Sequence, residues 1–265
     1  MSKIGKLLKK IVSWLKSFSD DIDEMNREKN LPPWSKERSY ALVVAADYRR
    51  DTCPVNSVEA MRGLFADAAA EVDVVVDADA TGDRFLELLR KGISYETFFF
   101  YETAHGNSRS IRLIDRHVKA QEIWDALKDA ENRIVGFFDS CCSGSVIETD
   151  AFSAFSGPGS MADFLAGEFR REGARLASRG KKRPDVKLYS ACADGVFTTY
   201  QPESYTEFQA ALSKAYRKTK DLTYADFDER LVEFGTYGPK DRPQYRVVPQ
   251  TASYGRDFSS LPPLR

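Results

Sequence analysis

Apolar positions follow two rhythms along this chain. Short continuous or alternating runs occupy Tyr40–Ala46, Glu71–Val76, Thr97–Tyr101, Arg133–Phe138, Val186–Ala191 and Gln244–Val248. Each has the length and the β-branched or aromatic content of a strand. Between these runs apolar residues return every three or four positions. That spacing predicts helices over Val58–Ala70, Thr81–Arg90, Ala120–Ala130, Tyr205–Thr219 and Thr223–Phe234. Met61, Leu64, Phe65 and Ala68 make the inward stripe of the first helix. Phe85, Leu88 and Leu89 make that of the second, with Thr81 as its cap. Strands alternating with helices predict an α/β fold, a mostly parallel central sheet with helices on both faces.

Two segments depart from this rhythm. Over residues 1–18, Ile4, Leu7, Leu8, Ile11, Val12, Trp14, Leu15 and Phe18 share one helical face, and Lys3, Lys6, Lys9, Lys10 and Lys16 take the other. This is a cationic amphipathic helix, and two roles fit it: packing on the domain, or lying on a membrane surface. The expected division is therefore a helix over 1–19, a linker over 20–37 that contains Asn30-Leu31-Pro32-Pro33, and one domain over 38–265. The second departure is 145–184. Phe152–Ser160 is punctuated by Gly, Ser and Pro, Phe164–Ala177 has room for a short helix, and Arg179–Pro184 is basic and turn-prone. A connection this long predicts a mobile or processed loop region.

Bulk composition narrows the function classes. The 265 residues carry a formal net charge of −1, which gives no reason to expect a nucleic-acid partner. No apolar run reaches the ~18–20 residues of a membrane span, and lysines interrupt the N-terminal apolar residues too often for a secretory signal. Cys53, Cys141, Cys142 and Cys192 form no Cys-x-x-Cys pair and show no disulfide-framework spacing. Free thiols in a reducing, cytoplasmic compartment follow, peripheral at a membrane if the N-terminal helix binds one.

The chemistry concentrates in two strings. Phe98–Gly106 ends in Tyr-Glu-Thr-Ala-His-Gly, and Ile134–Gly144 ends in Asp-Ser-Cys-Cys-Ser-Gly. Both are strand-like runs closing in small and reactive residues. In α/β sheets, chemistry collects at the carboxyl ends of parallel strands. A histidine can lower the pKa of a cysteine and later protonate a leaving group, and the only two histidines are His105 and His117. The opposing reading makes the cysteines small buried hydrophobes and His105 a turn residue.

Tyr101–Gly106 and Asp139–Gly144 resemble the histidine and nucleophile segments of caspase-like cysteine peptidases, within them the metacaspases and bacterial caspase homologues. Tyr189–Asp194, Tyr205–Leu212 and Pro249–Thr251 resemble further segments of that family in the same order, so the resemblance spans roughly 38–258. It implies a three-layer caspase-like fold and a cysteine endopeptidase acting on protein or peptide substrates. Cys141 would be the nucleophile, His105 the base and acid, and the N–H groups of Gly106 and Cys141 the oxyanion hole. Cys142 stands where the family usually has His or Asn. The resemblance further implies an acidic pocket for an Arg or Lys at P1, the residue before the cleaved bond, with Glu59, Thr103, Asp139, Ser190 and Asp194 as its candidates. An Asp-specific pocket would need arginines instead, for which Arg49, Arg50 and Arg109 are available. Arg179, Lys181, Lys182 and Arg183 are candidate self-processing sites.

No metal or cofactor is expected. Calcium-dependent metacaspases carry acidic motifs after the His-Gly and after the fifth-strand cysteine. Here basic residues follow Gly106, and Asp194 alone follows Cys192. A catalytically silent interaction module, and a membrane-acting effector controlled by the protease domain, are the competing readings. Oligomeric state is not legible.

Overall fold

The structure, a computed structural model, describes residues 35–46, 53–107, 109–140, 161–180, 184–191, 206–217, 224–235 and 250–254. The chain divides into Met1–Pro33 and Trp34–Arg265, and every described residue belongs to the second unit. The expected N-terminal helix and most of the expected linker lie outside the described residues.

The strands are β1 (Ser39–Ala45), β2 (Glu71–Val76), β3 (Thr97–Asn107), β4 (Ser110–Arg112), β5 (His117–Lys119), β6 (Arg133–Ser140), β7 (Asp185–Ser190) and β8 (Gln250–Tyr254). The helices are α1 (Cys53–Ala68), α2 (Gly82–Gly92), α3 (Ala120–Leu127), α4 (Met161–Ala177), α5 (Glu207–Arg217) and α6 (Tyr224–Gly235). The main sheet runs β2-β1-β3-β6-β7-β8. It is parallel from β2 to β7, and β8 closes it antiparallel to β7.

Helices cover both faces, which is why the central strands read as unbroken apolar runs. Alternation along β1 sends Tyr40, Leu42 and Val44 into one core and Ala41, Val43 and Ala45 into the other. On the first face α2, α3 and α4 supply Phe85, Leu89, Ile123, Leu165 and Phe169, with Trp124 edge-on to Phe169 at 5.0 Å. On the second face α1, α5 and α6 supply Met61, Phe65, Phe208, Leu212, Phe227 and Leu231. The α/β fold with helices on both faces is as the sequence predicts.

Several boundaries differ for local reasons. α1 begins five residues before the expected Val58, because a proline such as Pro54 is tolerated in a first helical turn, where its missing N–H has no intrahelical partner. α4 is a 17-residue core helix inside the region expected to be a loop, and it buries Met161, Ala162, Leu165, Ala166 and Phe169. Thr81 caps α2 as expected, its hydroxyl oxygen accepting the Arg84 N–H at 3.3 Å. β3 does not stop near Tyr101. It continues past the sheet into a hairpin with β4, and β4 pairs β5. A strand over Gln250–Tyr254 was not expected, and the expected strand Gln244–Val248 lies outside the described residues.

Candidate active site

The parallel pairing of β3 ends at the carboxyl edge of the sheet. On one side Thr103 is the last residue opposite β1, facing Ala45, and on the other Ala104 faces Ser140 of β6. His105 is therefore the first residue of β3 beyond the parallel sheet. It is exposed, and its partner across the hairpin is Arg112. Cys141 lies outside the described residues. Covalently it is the residue after Ser140, as His105 is the residue after Ala104, so the two follow a registered pair on adjacent central strands.

Gly106 sits where a side chain would not fit. A Cβ there would lie 2.9 Å from the Ser110 carbonyl oxygen and 3.1 Å from Ser140 Cβ and Oγ. The glycine thus lets the hairpin close directly against the end of β6.

Asp139 faces Thr103 in register, and its carboxylate is almost wholly buried. Two hydroxyls donate to the same oxygen, Oδ2: that of Tyr101 on β3 and that of Thr206 at the start of α5. Oδ1 has no hydrogen-bond partner among the described residues. Burial raises the Asp139 carboxyl from the ordinary 3.8 to about 6, while the Thr206 and Tyr101 hydroxyls pull the other way. Burial also raises the Tyr101 phenol well above 10, and the Asp139 charge adds to the rise. Ser57 Oγ, buried on α1, has no hydrogen-bond partner among the described residues.

The other expected pocket residues are distributed as follows. Glu59 is exposed on α1 and accepts from Arg62 at 3.4 Å. Ser57, two positions earlier and about 200° around the helix, is fully buried. Ser190 is also fully buried, but its neighbours Tyr189 and Ala191 join the α1/α5 core, so alternation places Ser190 on the opposite face from Asp139. Asp194 lies outside the described residues. Of the arginines considered for an Asp-specific pocket, Arg49 and Arg50 lie outside them too, and Arg109 stacks over the Phe164 ring at 4.9 Å. Arg179 is exposed in the turn after α4, while Lys181, Lys182 and Arg183 are outside the described residues.

Sequence reasoning missed the bonding role of Tyr101 and the part of Thr206. Thr206 had a legible signal. Its Oγ1 accepts the Gln209 N–H at 3.0 Å, and Thr-x-x-Gln before an apolar helix is the pattern of a helix N-terminus. Among the described residues no three His, Cys, Asp or Glu side chains gather to hold a metal. No described helix is long and apolar enough to cross a membrane.

No known family profile and no curated protein matches this sequence. Solved structures do resemble it. Protein GSU0716 from Geobacter sulfurreducens superposes with a TM-score of 0.57 at 16% identity, covering 84% of this chain and 97% of that one. Caspase-1 from Spodoptera frugiperda superposes with a TM-score of 0.57 at 11% identity, covering 84% of this chain and 90% of that one. At such identities the likeness is one of architecture, and the architecture of this chain is the three-layer fold of a caspase.

Proposed function

We propose that this chain is a cysteine endopeptidase whose Cys141 attacks the scissile carbonyl and whose His105 transfers the proton. The observation that carries the reading is the register Ala104↔Ser140 at the carboxyl edge of β3 and β6. It makes His105 and Cys141 successors of facing residues, and ligands in such folds gather at that edge. In the first step the Cys141 sulfur bonds to the carbonyl carbon. The peptide C–N bond breaks, and His105 gives the amine its proton. Water, deprotonated by His105, then hydrolyses the thioester and restores the thiol. The Gly106 and Cys141 N–H groups stabilise the oxyanion; each such donor is worth about 10²–10³ in kcat.

The preferred P1 residue is Arg or Lys. Asp139 supports this, since a buried carboxylate with one oxygen unpartnered among the described residues suits a guanidinium or ammonium donor. Exposed Arg179 and the basic residues after it fit the same preference as self-cleavage sites.

The test is cleavage of fluorogenic peptides with Arg, Lys or Asp at P1 by wild type, Cys141→Ala and His105→Ala, each with calcium and with chelator. Intact mass is read on the same samples. Cleavage after Arg or Lys, lost in both variants, is the expected result. Cleavage confined to Asp overturns the specificity, and cleavage that survives Cys141→Ala overturns the mechanism.

A further inference from the structure

Asp139 is held in an unsymmetrical way. Both of its described hydrogen bonds reach Oδ2, one from β3 and one from α5, although the two donors are far apart in sequence. Oδ1 is equally buried and has no hydrogen-bond partner among the described residues. A buried acceptor left unpaired is costly, and native proteins keep few of them. The arrangement is that of a carboxylate with one oxygen fixed and the other reserved.

The direction of one donor is itself set by a neighbour. Thr206 caps α5, so its oxygen receives the Gln209 N–H, and its own proton is left to point at Asp139. The Tyr101 phenol, fully buried on β3, donates its own proton to the same Asp139 oxygen. The start of α5 adds the positive end of a helix dipole beside the carboxylate. On Asp139 itself burial, Thr206 and Tyr101 are the influences at work, with no charged group of a described residue among them. The ionised form therefore depends on hydroxyl donors rather than on an ion pair.

We propose that Tyr101 and Thr206 are positioning residues for substrate selection: they hold Oδ2, keep the Asp139 carboxylate ionised in its buried site, and leave Oδ1 as the acceptor for a cationic P1 side chain. This rests on the reading of Asp139 as the P1 acid. Selectivity for a charged P1 residue is then set by two uncharged side chains that need not touch the substrate.

The experiment compares kcat/KM for two peptides that differ only in Arg or citrulline at P1, from pH 4.5 to 8.5. Citrulline keeps the shape of arginine without its charge. The ratio of the two values cancels the titration of Cys141 and His105 and the amount of active enzyme. In wild type the ratio rises with pH around a midpoint near 6, the pH at which Asp139 ionises. Tyr101→Phe and Thr206→Val each remove one donor, so each moves the midpoint up by about one pH unit, which lowers the ratio about twofold at pH 7 and about fivefold at pH 6. Thr206→Ser keeps the hydroxyl and the cap, and restores both. Asp139→Asn abolishes the pH dependence of the ratio.

An unchanged ratio and midpoint in Tyr101→Phe and Thr206→Val, with Asp139→Asn still flattening the profile, overturns the positioning role alone. A ratio that Asp139→Asn does not alter, or wild type that does not prefer Arg, overturns the P1 assignment and the positioning role with it.

Discussion

Gly136 offers a direct measure of how tightly the middle of the sheet is filled. It lies in β6 between Phe100 of β3 and Leu188 of β7, both in register with it. A Cβ at this position would stand 2.2 Å from Phe100 Cζ, 2.4 Å from Phe100 Cε1 and 2.9 Å from Leu188 Cδ2. Against the 3.4 Å at which ordinary contact begins, the nearest pair falls short by about 1.2 Å. The ring has no easy retreat. Phe100 is fully buried, packed on Phe98 at 5.5 Å and edge-to-face with Phe138 at 5.3 Å. Overpacking of a rigid core costs about 1–3 kcal/mol. Gly136→Ala belongs at the upper end, less about 0.5–1 kcal/mol returned by the stiffer unfolded chain. The expected net loss is about 2 kcal/mol, or about 4–8 °C in Tm for a domain of this size. Urea and thermal unfolding of Gly136→Ala, Phe100→Leu and the double variant test the cause as well as the size. Because leucine vacates the contested space, the pair is expected to couple favourably by about 1 kcal/mol or more. A single variant within 0.5 kcal/mol of wild type, or strict additivity, refutes the packing argument.

Two further predictions concern the candidate site. Asp139 holds its proton more tightly in the fold than in the unfolded chain, with its carboxyl raised from 3.8 to about 6. The sign follows from proton binding: that stability is fully present below pH 3.8 and is lost as pH rises through about 6, about 3 kcal/mol in all. Asp139→Asn cannot ionise, so its stability relative to wild type should improve by about 2 kcal/mol between pH 4 and pH 8 in denaturant titrations; parallel curves would show the carboxyl is not perturbed. Gly106→Ala pushes against the Ser110 carbonyl oxygen at 2.9 Å and against Ser140. A shift of about 0.5 Å should lower kcat about tenfold with little change in Tm, since a misplacement of 1 Å can cost 10²-fold. Full kcat in this variant would remove the close approach from the mechanism.

Much of the architecture was legible because burial on both faces leaves a plain signature. β1, β6 and β7 are buried at every position; β1 and most of β6 read as continuous apolar runs, and β7 as the alternation of Val186, Leu188 and a buried Lys187. β2 was legible for another reason, its run of valines ending at Val76. The hairpin strands β4 and β5 were not legible, because three residues carry no period and their pairing partner is the extension of β3. α4 was underrated because glycines and arginines interrupt an apolar stripe that is continuous on the folded helix, from Met161 through Leu165 to Phe169. Within the site, His105, Thr103 and Asp139 could be picked out because each stands in a short string near the end of a strand. Partners brought from elsewhere in the chain could not. Glu59 was read as a pocket acid for its place at the start of the first helix, yet the helical turn directs it outward, toward Arg62.

The span between Asp139 and Thr206 bears on how the molecule matures. The two residues that meet at this carboxylate are 67 positions apart, and the later one belongs to a helix made only in the last quarter of the chain. A ribosome that has delivered β3 and β6 has made both strings that end the central strands, but not the helix that covers Asp139. Until α5 and α6 dock, the carboxylate at the end of β6 stays open to water on that side, without its second donor and with its ordinary affinity for protons. Completion of the C-terminal helices is thus the event that creates a dry acidic site, and an unfinished chain lacks one however well its first half has folded.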